Sequence, residues 1–118
     1  MSELEKLKTE VCAAIECRKD EVIEIGETIW ENPEIGFKEI KTSRLVAKQL
    51  KSLRLPCREG LAVTGCRADF DSGRAGPTLA ILGELDAIIL PAHPDADPST
   101  GAVHGCGHNG LLQRTSHQ

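Results

Sequence analysis

His104, Cys106 and His108 alternate with Gly105 and Gly107 and run into Asn109, so three side chains able to ligate a metal are separated only by glycine. Glycine lets the backbone bend tightly, and a thiol and an imidazole two residues apart can then converge on one point. Thiolate and imidazole suit zinc or another borderline divalent ion, and Cys106 with His108 is the pair expected to supply them. Two donors do not complete a site, because a catalytic zinc takes three protein ligands and keeps a position open for water. Taken alone, a Cys-Gly-His tripeptide is more often a glycine-rich turn with a buried thiol and a solvent-facing histidine than a metal site.

Glu84 and Asp86 flank Leu85 at the end of an apolar run. In a strand they would project to one side, where carboxylates can orient a ligand imidazole or bind an ion directly. The plainer reading is a strand that has reached solvent. His93, Asp95 and Asp97 share an every-second-residue spacing, but Pro91, Pro94 and Pro98 make that segment a stiff, solvated loop. Cys57 and Cys66 could join Cys106 and His108 in a structural zinc site, although their separation fits no common zinc-knuckle spacing. Neither a phosphate-binding glycine loop nor a GxSxG nucleophile elbow occurs. Cys106 as a nucleophile with His104 or His108 as base would need neighbours in sequence to reach a geometry they rarely attain.

These residues have to be positioned by elements that the periodicity outlines. Leu4, Leu7, Val11, Ala14, Ile15, Val22, Ile25 and Ile29 form one helical stripe from Ser2 to about Trp30, interrupted by Arg18 and ended by Asn32-Pro33. A second helix is expected over Lys38–Leu53. The period then changes: Leu61–Val63 and Cys66–Phe70 read as short strands, a Gly/Ser/Pro turn follows, and Thr78–Leu85 has the two-sided apolarity of a central buried strand. From Pro91 the chain is a loop leading into the histidine-rich turn. Two helices followed by strands predict an α/β layer with an incomplete sheet.

Composition narrows the function. A chain of 118 residues with 40% hydrophobic residues can hold one small core, though a several-layered enzyme usually needs more. The formal net charge of −4 and the absence of a basic, aromatic-laced stripe argue against nucleic acid as the main partner. No run approaches a bilayer-spanning length and MSELEKLKTE has no signal-peptide core, so a cytoplasmic protein without a membrane partner is expected. Five cysteines at irregular spacing argue for free thiols over a disulfide framework.

Taken in order, ENPEIGFKEIKTS, LAILGELDAI and GAVHGCGHN resemble the amidohydrolase and aminoacylase branch of the zinc exopeptidases, across roughly Glu21 to Asn109. That branch includes hippurate, aminobenzoyl-glutamate and auxin-conjugate hydrolases, and the wording is most similar to the aminobenzoyl-glutamate hydrolase and dipeptidase subgroup. The resemblance implies that residues 1–109 are the N-terminal part of a zinc-peptidase-like catalytic domain with a mixed sheet. It implies that Cys106 and His108 are ligands of zinc or manganese, with Asp86, Glu84 and His104 near the site. It further implies hydrolysis of a small-molecule amide or dipeptide by metal-activated water, in an enzyme compatible with homo-oligomers. The general-base glutamate, the later ligands and the dimerisation or lid domain of that family have no counterpart in these 118 residues, so little activity is expected of this chain alone. Residues 110–118 depart from the family and read as a tail from truncation, splicing or a shifted frame. Leu111 and Leu112 could start a helix there, and His117 is a poor ligand. The alternative is a small non-enzymatic module that binds zinc or a partner chain.

Overall fold

The computed structural model describes residues 1–106 and His108; the tail over residues 110–118 lies outside the described residues, as does Asn109. Ser2 caps the first helix, α1 (Glu3–Cys17), by accepting the Glu5 N–H at 3.2 Å. Glu3 and Glu5 add negative charge at the helix N-terminus, where the dipole favours it. The expected single helix is in fact two. The chain leaves helical geometry at Arg18 (φ −106°, ψ 5°) and resumes as α2 (Lys19–Glu31). A guanidinium on the apolar stripe cannot be buried unpaired, and here it turns outward to Glu21, Nε to Oε2 3.3 Å. Upstream of the break Leu4, Leu7, Val11 and Ile15 stay exposed, and α1 buries no residue.

At the end of α2, Asn32 Nδ2 donates to the Thr28 carbonyl at 2.8 Å, and Pro33 prevents continuation. A turn with Phe37 at φ 63° leads to α3 (Ile40–Ser52). The residue before this helix, Glu39, makes no side-chain cap. Capping comes instead from Glu34, whose carboxylate accepts the N–H of Lys41 at 3.0 Å, the N–H of Thr42 at 2.7 Å and the Thr42 hydroxyl at 2.8 Å. Two of the four orphan donors of α3 are thereby satisfied from a residue in the preceding turn. Partial burial would raise the Glu34 pKa, but these hydrogen bonds and the Lys41 ammonium outweigh it and hold the carboxyl below its ordinary value.

Two strands then form a hairpin, β1 (Cys57–Leu61) and β2 (Gly65–Ala68), antiparallel with Glu59 opposite Cys66. Of the strand expected at Leu61–Val63 only Leu61 is paired, Ala62 and Val63 forming the hairpin turn, and the one expected at Cys66–Phe70 begins and ends earlier. Ala62 and Val63 take φ 46° and 81°. Left-handed backbone costs a non-glycine residue roughly 1–2 kcal/mol. What offsets it is the next residue, since Thr64 is carried inward and donates from its hydroxyl to the buried Glu39 carboxylate at 2.6 Å. A Cβ at Gly65 would lie 2.6 Å from the Leu61 carbonyl oxygen, so the turn closes only with glycine.

Thr78–Leu85 corrects the second expectation. It is no central strand: it forms no ladder, and Leu79, Ile81 and Leu82 are 85%, 92% and 94% exposed. An apolar run becomes a buried strand only when neighbours satisfy its backbone on both edges. Among the described residues β1 pairs only with β2, and no other strand lies alongside. Pairing starts at Ala87, which bridges Ile35 in parallel and donates its N–H to the Glu34 carbonyl at 2.7 Å. Next, β3 (Ile88–Ile89) pairs antiparallel with β4 (Ala102–Val103). The fold is α/β, as expected, and partial: among the described residues it has three helices, two short antiparallel ladders and one parallel bridge. Ala47, Ala87, Ala102 and Val103 make the buried apolar core. No helix among the described residues is long and apolar enough to cross a membrane.

Glu34→Ala should destabilise the fold by about 2 kcal/mol, the scale of lost charged hydrogen bonds at a helix start. Because the folded carboxyl is held low, its contribution is complete above the unfolded value of about 4.3 and fades as pH falls through the lower folded value. Urea unfolding of both proteins at pH 7 and pH 3 checks this: the gap between them should narrow in acid.

Candidate metal centre

Small residues place the histidines. Ala102 and Val103 are each 2% exposed, and their ladder with Ile89 and Ile88 delivers the next residue, His104, into the interior. Its Nε2 lies 3.1 Å from the Ile29 carbonyl, and its ring stacks on Trp30 at 6.4 Å between centroids and 30° between planes. A carbonyl only accepts, so Nε2 carries the hydrogen and Nδ1 presents a lone pair. That Nδ1 is buried without a hydrogen-bond partner among the described residues. Burial lowers the pKa of His104, and proximity to His108 lowers it further, against the Ile29 carbonyl and Asp86, which raise it.

Four residues further on, the His108 ring sits edge-on to His104 at 6.5 Å. Its Nε2 is 2.9 Å from the Asp86 carbonyl oxygen and 3.8 Å from Asp86 Oδ1, while Nδ1 is 3.2 Å from Glu84 Oε2. The two carboxylates flanking Leu85 thus face the same imidazole, as strand-like alternation predicts, although no ladder holds their segment. The Asp86 main-chain carbonyl only accepts, so His108 Nε2 carries the hydrogen of that bond. An ion bound at that nitrogen would take the place of that proton. Cys106 is exposed. Thiol, imidazole and two carboxylates suit a borderline divalent ion chemically, as does the unpartnered lone pair on buried His104. Among the described residues, however, no three His, Cys, Asp or Glu side chains converge closely enough to enclose one.

Cys57 and Cys66 lie on the β1–β2 hairpin, and among the described residues they form no metal-sized group with Cys106 and His108. The proline-rich segment is a loop, as its composition implies. His93 Nδ1 accepts the Asp95 main-chain N–H at 3.1 Å, a local turn contact. Asp97 instead builds the turn, accepting from Ser99 N and Oγ at 2.9 and 2.6 Å and from Thr100 N and Oγ1 at 2.9 and 3.0 Å. The Ser99 hydroxyl contributes most to holding its carboxyl down at about 2.

Known proteins match this arrangement of segments. Thermostable carboxypeptidase 2 of Saccharolobus solfataricus is 34% identical over 113 residues, 92% of this chain and 28% of its own length. IAA-amino acid hydrolase ILR1-like 2 of Arabidopsis thaliana is 30% identical over 94 residues, 77% and 21% of the respective chains. Hippurate hydrolase of Campylobacter jejuni is 32% identical over 89 residues, 73% and 23%. The chain belongs to the amidohydrolase and aminoacylase family. No family-wide sequence profile matches it. The chain spans about a quarter of the length of these amidohydrolase-type relatives.

Some supporting residues of this amidohydrolase segment were not apparent from sequence. Glu34, Asp97, and the Ile29 carbonyl with Trp30 beneath His104 support the site only through folding. One signal was present for Glu34: the helix after it begins without a Ser, Thr, Asp or Asn cap. The groove of about 210 Å³ between α2 and α3, lined by Thr28, Ile29, Asn32, Lys41, Thr42 and Leu45, includes none of the candidate site residues.

Asp97 should titrate with a midpoint near 2 by carboxyl NMR, against about 3.9 for an unstructured aspartate. Since the folded value is depressed, its hold on the loop is complete above about pH 4 and is lost as pH falls through about 2. Asp97→Ala should open residues 91–101 to proteolysis at neutral pH.

Proposed function

We propose that the whole protein hydrolyses the amide bond of an N-acyl or N-aminoacyl amino acid, using a divalent ion for which Cys106 and His108 are ligands. The observation that carries this is His108 held between Asp86 and Glu84 beside Cys106, in a chain whose relatives include proteins named as a carboxypeptidase, an IAA-amino acid hydrolase and a hippurate hydrolase. A bound zinc or manganese would supply a water of lowered pKa and a Lewis acid for the scissile carbonyl. The Asp86 main-chain carbonyl on one side and the Glu84 carboxylate on the other fix the His108 ring plane, as outer partners of a ligand imidazole do. His104, locked by Ile29 and Trp30, walls the site and keeps water from its inner side. The proton of the attacking water goes to a base outside the described residues.

With two ligands and no such base, the 118-residue chain by itself is expected to turn over little substrate. Free thiols at all five cysteines accord with a reducing, cytoplasmic setting.

Metal analysis and hydrolysis of benzoyl-glycine, other N-acyl amino acids and dipeptides test the proposal. The whole protein should show metal-dependent hydrolysis, the 118-residue chain almost none. Cys106→Ala or His108→Ala should abolish tight metal binding, whereas Glu84→Gln should weaken it by about tenfold. Hydrolysis insensitive to chelators, or unchanged metal content in both ligand variants, would overturn it.

A further inference from the structure

Of Trp30, Phe37 and Phe70, the two phenylalanines are exposed, and only Trp30 is half-buried. It lies in the last turn of α2. Its indole stacks on the buried His104 imidazole, 6.4 Å between centroids and 30° between planes, within the range at which aromatic rings attract. In the same turn the Ile29 carbonyl accepts from Asn32 N at 3.2 Å and from His104 Nε2 at 3.1 Å. Carbonyls at the end of a helix have no helical partner and are free to do this.

Both contacts act on one ring, and they are not redundant. A hydrogen bond at Nε2 fixes one end of the imidazole but lets the ring swing about that bond. The indole face removes the swing and sets the ring plane. That plane bears on the ligand turn, because Cys106 is two residues on and the His108 ring sits edge-on to His104, 6.5 Å away at 82°. Gly105 and Gly107 leave this turn with more conformational freedom to lose than other residues would, and freedom lost at the moment of binding weakens the binding. At its far end the turn is held by the Asp86 carbonyl on His108 Nε2, a bond that gives way where an ion takes that nitrogen. The bond from His104 Nε2 to Ile29 and the stack on Trp30 involve neither Cys106 nor His108, so they persist when those two bind an ion.

We propose that Trp30 is a positioning residue for the metal centre, holding the His104 ring in the plane that presents Cys106 and His108 to one ion. The inference rests on the reading of those two residues as ligands. An indole nitrogen donates a hydrogen bond and has no lone pair for a metal, so Trp30 supplies no ligand and acts through His104. Its effect is on affinity: with the turn ordered in advance, the cost of ordering falls on folding and not on metal binding.

Cobalt(II) titration of the whole protein tests this, read by the sulfur-to-cobalt charge-transfer absorption of a Cys106 thiolate ligand and so independent of turnover. Trp30→Leu, which keeps an apolar side chain but no flat face, should raise the cobalt dissociation constant about tenfold. Trp30→Phe restores a ring to stack and should return it close to the wild-type value. Where Trp30→Leu does not fold, Trp30→Met fills more of the same volume and takes its place. His104→Gln keeps a donor for the Ile29 carbonyl but has no ring; it should bind cobalt as weakly as Trp30→Leu, and the double variant no more weakly than either, because the two side chains act as one unit. Absence of the charge-transfer band in the wild type would refute the ligand assignment and this inference with it. With the band present, three results would overturn the positioning role alone: unchanged affinity in Trp30→Leu, losses that add in the double variant, or a collapse in His104→Gln far beyond that of Trp30→Leu, the mark of a lost ligand.

Discussion

The carboxylate of Glu34 ties together parts of the chain that have no other reason to meet. Its oxygens satisfy the first free N–H groups of α3, and its own main-chain carbonyl takes the N–H of Ala87. One residue back from Ala87 is Asp86, whose carbonyl meets His108. The helix start depends on the carboxylate of this turn residue, while the parallel bridge next to the candidate metal centre uses its main-chain carbonyl. The dependence is electrostatic as well as geometric: a half-buried carboxylate is stable there because three hydrogen-bond donors and a lysine charge face it.

Around that anchor the interior is made of small groups. Ala87, Ala102 and Val103 allow the short strands to pack closely behind the histidines, and the larger apolar side chains of α1 and of Thr78–Leu85 remain on the surface. Contiguous exposed apolar surface of this kind is unusual for a self-contained domain. It agrees with a segment that spans about a quarter of its relatives' length. A wider sheet would need backbone partners that the described ladders do not provide.

The histidines divide the work between support and chemistry. His104 is spent on packing, stacked on Trp30 and tied to the end of α2, with one nitrogen left bare among the described residues. His108 stands half-buried among oxygens, where an imidazole can exchange a proton for a cation.

Much was legible in residue order. The stop at Asn32-Pro33, the second amphipathic helix and the proline-rich loop follow from local sterics and periodicity, which act within a few residues. The family, too, was readable from three short segments in register, because glycine, histidine, cysteine and acidic residues rarely fall at such spacings, in that order, by chance. Arg18 showed as an interruption of the stripe but not as the boundary between two helices, and the hairpin turn at Ala62-Val63 was not readable. Nor was the fate of Thr78–Leu85: its apolar character states only what it could pair with, while pairing depends on which strands lie alongside. Sequence by itself settled which side chains are available and where local turns fall. Only the tertiary structure decided that Glu34 caps the following helix and holds Ala87, and that His104 faces inward while His108 meets Asp86 and Glu84. Those are long-range contacts, set by the balance of burial and hydrogen bonding over the whole chain, and no local spacing encodes them.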